Sequence, residues 1–179
     1  MSKSKFIRIC AVSAILAGTL RAIASFIPVT ATRIYLLYFA IDLFLLLGVI
    51  GFFRASLAAA KLLGFVGFVI MFLAVLILIA RDVGIFPKTV YAGAAGAFSL
   101  GLVLFAIQVL LTRKISVWMP IAWILSTIIG PVGFFVPSLS FLFVISGLLF
   151  GLAFAAAGVA TWRLSSPIHT DSHHGGCKF

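Results

Sequence analysis

Asp42 sits near the centre of an otherwise apolar run from Ala31 to Phe53, and Arg21 interrupts the hydrophobic run before it. An ionised group at such depth in a bilayer costs on the order of 3 kcal/mol unless it is paired or watered, so both positions are candidates for function. Two chemistries fit. As an ion pair, Arg21 and Asp42 would clasp the first helix to the second. As a site, Asp42 would carry a proton or small cation, with Arg21 tuning it and Tyr38, one turn away, relaying outward. The clasp is the simpler reading, because proton and cation pathways usually use several intramembrane acids and the other runs lack one at depth.

The pair is within reach on helical geometry. On antiparallel neighbours, the lean of each side chain toward its own N-terminus brings Arg21 deeper and Asp42 outward. The positions three, four and seven residues from Arg21 include Ala14, Ala17, Gly18, Ala24 and Ser25. A face of small residues admits a second helix closely, so Arg21 is expected to look into the protein. Arg81 and Asp82 are adjacent at a run's end and read as solvated interface charges. His169, His173, His174 and Cys177 offer imidazole and thiolate ligands near the C-terminus. Their spacing matches no structural zinc module, so adventitious capture is expected and neither a metal site nor a cofactor.

What must position these residues follows from composition. The chain has 179 residues, 64% hydrophobic and 9% charged, with mean hydropathy +1.35. A soluble domain is about half apolar and a quarter charged, so the solvent here must be a bilayer. The apolar runs are long and uninterrupted, which selects helices over a barrel. Six of them meet the spanning length: Phe6–Ile27, Ala31–Phe53, Leu62–Ala80, Thr89–Thr112, Val117–Val136 and Leu139–Trp162. The expected fold is an all-α integral membrane protein, a six-transmembrane-helix bundle with short loops over residues 1–164. Residues 165–179 read as a disordered polar tail, since Ser165-Ser166-Pro167, three His and Gly175-Gly176 bury little apolar area.

Cations set the orientation. Lys3, Lys5, Arg8, Arg54, Lys61, Arg113, Lys114, Arg163 and Lys178 fall on one side, against Arg33, Arg81 and Lys88 on the other. That bias places both termini in the cytoplasm, in what is expected to be a prokaryotic cytoplasmic membrane. Lys3, Lys5 and Arg8 ahead of an apolar stretch and Ala22-Ile23-Ala24 resemble a signal peptide, but Arg21 breaks the apolar region just before the cut, so the first span is read as retained.

Several functions are excluded on residue types. The chain has no Glu, no Asn and one Gln, Gln108. No run contains His, which argues against His-ligated haem and a Ser–His dyad. Only one run holds an internal Asp, which argues against a two-carboxylate protease. No nucleotide-binding or metalloprotease motif occurs, and the net charge of +10 reflects missing acids and not a nucleic-acid footprint.

Packing signals are stronger. Gly147, Gly151 and Ala155 recur every four residues in the sixth run, as do Gly93, Ala97 and Gly101 in the fourth, and both stripes are expected to pack against helices. Gly51-Phe52-Phe53 recurs as Gly133-Phe134-Phe135, which suggests an inverted repeat, although the first and fourth runs match poorly under the same shift. The expected partners are the lipid bilayer and other membrane proteins or a second copy. The functional expectation is a non-enzymatic accessory, assembly or stabilising component, with a small proton- or cation-coupled transporter or channel as the alternative.

Overall fold

The computed structural model describes residues 3–27, 34–56, 61–87 and 89–165. The tail, with its expected disorder and its His169, His173, His174 and Cys177 set, lies outside them. Six helices form: α1 Lys3–Ala24, α2 Ile34–Ser56, α3 Leu62–Asp82, α4 Val90–Thr112, α5 Trp118–Phe135 and α6 Phe141–Leu164. Each is long and apolar enough to cross a membrane. Their exposed Leu, Ile, Val and Phe give them a surface suited to lipid.

Breaks between helices follow local chemistry. Gly84 adopts φ +84° in the α3–α4 turn, a conformation open to glycine at little cost. Arg113 ends α4 at φ +50°, its N–H donating to the Val109 carbonyl. Pro137 opens a short 3-10 turn, Pro137–Leu139, that separates α5 from α6. Pro131 lies inside α5 without ending it.

Sequential helices pack side by side, and α1 returns to α6, so the six form a ring. The most extensive contacts are α1 with α6 and α3 with α4. Both seams rest on glycine. A Cβ on Gly151 would stand 2.5 Å from the Gly18 carbonyl oxygen, and one on Gly101 would stand 2.8 Å from that of Gly67. Only hydrogen at these positions lets the backbones meet. Gly158 abuts Ala11 and Ile15, and Gly147 abuts Ser25, so the α1 seam runs 11, 15, 18, 22, 25 in steps of three and four.

Rings fill the space between. Phe52, Trp123 and Phe154 are buried together, with Phe52 and Phe154 centroids 4.8 Å apart and Phe52 and Trp123 5.8 Å apart. Phe150 stacks on Phe154 at 5.3 Å and meets Phe98 at 5.9 Å. A polar bond joins α5 to α6, the Ser146 hydroxyl donating to the Ser126 carbonyl at 2.8 Å. The Ser126 hydroxyl itself turns back to the Trp123 carbonyl.

The repeated Gly-Phe-Phe motif sits in two different settings. Gly51 faces Cys10 on α1, whereas Gly133 faces Phe143 on α6, the helix that follows it. Phe52 is core and Phe134 is exposed. An inverted repeat would have put the second copy against α4, so the motif does not carry one.

Candidate functional site

The site lies toward the distal end, meaning the end that carries the α1–α2, α3–α4 and α5–α6 connections. Its parts are set by helix register. Gly48 packs on Ala14 and Gly51 on Cys10. Counting from Ala14 and Gly48, Arg21 is seven residues up α1 and Asp42 six residues up α2, so their backbones are level. Between α2 and α3, the stacked rings of Phe53 and Phe68, 4.0 Å apart, fix a second register. Asp42 lies eleven residues up α2 from that stack and Asp82 fourteen up α3, a difference of about 5 Å in height. The three groups therefore share one layer.

Within that layer the charges are distributed differently from the sequence expectation. Among the described residues the salt bridge is Arg81–Asp82. Arg21 and Asp42 do not form one, although Asp42 lies within electrostatic range of Arg21, Arg81 and Asp82. The Arg21 guanidinium instead lies over the Tyr38 ring, 5.6 Å from its centroid. The reason is the direction that a long cationic side chain favours. Arg21 is three residues, about 5 Å, from the distal end of α1, and its head turns toward that boundary. Tyr38 is one turn distal of Asp42 and presents its face there.

Arg81 and Asp82 also depart from expectation. They are not solvated: the Asp82 side chain is 1% exposed and that of Arg81 14%. Arg81 lies over the ring of Tyr91 on α4, 4.8 Å from the centroid. One Asp82 oxygen accepts from Arg81. The other, Oδ2, is buried with no hydrogen-bond partner among the described residues. The layer thus holds Arg21, Tyr38, Asp42, Arg81, Asp82 and Tyr91, two cation–ring stacks flanking two carboxylates. Asp82 reads from the sequence as a solvated charge because it stands at a helix end, where charge is ordinarily wet. The available signal was scarcity, since the chain holds only three acids, one of them Asp82.

The packing residues divide. Gly147, Gly151 and Ala155 all lie against α1. In α4, Gly101 packs on Gly67 and Met71, but a Cβ on Gly93 would meet nothing within 4 Å. A four-residue repeat drifts about 40° per step around a helix, so Gly93 has turned off the seam that Gly101 occupies. Gly101 and Gln108 meet α3 at Gly67 and Gly64, and the buried Ala94, seven residues before Gly101, is nearly in line with them. Ala97 is half-buried between the two faces. Gly96 is uncovered like Gly93.

At the opposite end, Arg8 lies over Trp162 at 5.5 Å and Arg54 over Phe6 at 4.9 Å, placing cations against aromatic rings where headgroups are met. Among the described residues no group of three or more His, Cys, Asp or Glu is placed to hold a metal ion.

Fold and site together define the class: a multi-pass integral membrane protein built as a six-helix bundle, with a partly buried cluster of charged and tyrosine side chains toward one end. Compared with protein-family models, curated proteins and solved structures, the chain matches none.

Proposed function

We propose that the chain is a non-enzymatic membrane component that packs against other membrane proteins, or against a second copy, as an accessory, assembly or stabilising subunit. The observation that carries this reading is the outer face of α4. Among the described helical glycines, only Gly93 and Gly96 have open space where a side chain would go; each of the others is closed over by a neighbouring helix. Close approach of backbones is the principal use of such faces in a bilayer, where no hydrophobic force drives helices together. The aromatic filling between the helices supports a packed scaffold over an open pore. The proposal extends to a prokaryotic cytoplasmic membrane with both termini inside, supported by the cation bias, and to no role with nucleic acid.

Electrophoresis of native membranes solubilised in mild detergent tests it. The protein should migrate in a species larger than the purified single chain, and Gly96→Leu should release it while leaving the isolated bundle folded. Migration as a single chain in both cases would overturn the reading.

A second reading, a small proton- or cation-coupled transporter, is favoured by one observation. Asp82 is buried in the same layer as Asp42, which supplies the second acid that a pathway needs. Vesicles containing wild type or Asp42→Asn test it by internal pH and cation flux: flux abolished by the substitution supports transport, and no flux from either protein sinks it.

A further inference from the structure

We propose that Asp42 and Asp82 form a two-carboxylate site for a single exchangeable proton, carried on Asp42 and shared toward the free oxygen of Asp82. The inference deepens the second reading and takes its location from it, but proton binding requires no passage across the bilayer.

Three observations support it. Asp82 Oδ2 is buried and accepts no hydrogen bond from the described residues, a bare acceptor that lacks a donor. Among the described residues Asp42 makes no salt bridge, since Arg21 is held on Tyr38 and Arg81 on Asp82 and Tyr91. The two carboxylates stand on adjacent helices in one layer, about 5 Å apart in height by the register of the Phe53–Phe68 stack, where like charges away from water repel strongly. A proton on Asp42 removes that repulsion and supplies the missing donor, directly or through one water.

The surroundings select a proton over a metal cation. The charged and titratable groups facing the pair, among the described residues, are Arg21 from α1, Tyr38 from α2, Arg81 from α3 and Tyr91 from α4. Two guanidinium cations repel a metal ion, and hard cations require about six oxygen ligands, more than this layer provides. Binding is a simple transfer. An O–H bond of hydronium at the distal water boundary breaks, an O–H bond on the Asp42 carboxyl forms, water leaves, and Arg21 keeps its charge on Tyr38.

Infrared titration of the purified protein in detergent reads this directly, in an Asp171→Asn background that removes the tail acid. The expected result is a carboxylic C=O band of a shielded group that appears reversibly as pH is lowered and shifts in heavy water. Asp42→Asn should abolish the band, and Asp82→Asn should keep it while displacing its midpoint. Asp42→Glu, which preserves the acid if the Asn variant fails to fold, should retain a band at altered frequency. No titrating shielded carboxyl in the background protein overturns the proposal, as does a band that survives Asp42→Asn. Replacement of the pH response by a sodium-specific rise in thermal stability, against choline at equal ionic strength, also overturns it. A titrating band with no flux in vesicles leaves the proton site standing and removes the transport reading.

Discussion

Gly18 and Gly151 close on each other where α1 meets α6, each occupying the space into which the other's side chain would project. Around them the seam extends from Ala11 against Gly158 to Ser25 against Gly147. The contact holds the first helix to the last and so closes the ring. Overfilling a packed contact costs about 1–3 kcal/mol. Gly18→Ala and Gly151→Ala should each lower the thermal midpoint in detergent by such an amount. Gly93→Ala and Gly96→Ala, which meet nothing, should hold or raise the isolated protein's stability, since alanine favours helix by up to about 1 kcal/mol. Equal losses at all four positions would show that the seam is not where the backbones meet.

The charged layer makes a second prediction, read by double-mutant cycles on thermal unfolding. Arg81→Gln should destabilise strongly, by about 3–5 kcal/mol, because it leaves the buried Asp82 carboxylate uncompensated. Adding Asp82→Asn should recover much of that loss. Arg21 and Asp42 make no salt bridge with each other, so the coupling between Arg21→Gln and Asp42→Asn should be clearly smaller than that between Arg81→Gln and Asp82→Asn. A larger coupling for Arg21 with Asp42 than for Arg81 with Asp82 would mean that the pairing is wrong.

Trp123 provides a third. Its ring is buried against Phe52 and Phe154, while its indole nitrogen has no hydrogen-bond partner among the described residues. Trp123→Phe removes an unsatisfied donor and keeps an aromatic ring, so it should cost no more than about 1 kcal/mol in thermal unfolding. Trp123→Ala empties the centre and should cost about 3–5 kcal/mol. Similar losses from both would point to a bond from the indole.

Arg113 provides a fourth. It adopts the left-handed conformation that glycine takes without penalty. Arg113→Gly should raise stability by about 0.5–1 kcal/mol with no change in topology, because eight cations remain on that side against three. A fall in the thermal midpoint would assign the Arg113 side chain a contact of its own.

Much of this architecture was legible in the sequence because a bilayer imposes two strong constraints: runs long enough to span, and cations at the ends of runs. The six helices match the six apolar runs to within a few residues. What the sequence did not show was register. The expected Arg21–Asp42 pairing rested on the lean of side chains on antiparallel neighbours, whereas the levels are set by glycine contacts at Gly48 and Gly51. Even with the backbones level, the choice between Asp42 and the Tyr38 ring depends on where the guanidinium can reach the boundary. Asp82 carried no pattern, because a charge at a helix end reads as wet until α4 is seen to bring Tyr91 against Arg81. The stripe of Gly93, Ala97 and Gly101 divides for a different reason: Gly101 lies on the seam with α3 and Gly93 has turned off it. A four-residue pitch and a seven-residue pitch share Gly101, and only the second follows the α3–α4 seam.

The proposed role turns on what touches the open face of α4. A photo-activated residue at position 96, illuminated in native membranes, measures that contact. A discrete protein adduct is expected from position 96, absent from the exposed position Leu111 on the same helix and lost when Gly93 is replaced by Leu. Labelling of lipid alone from both positions would contradict it.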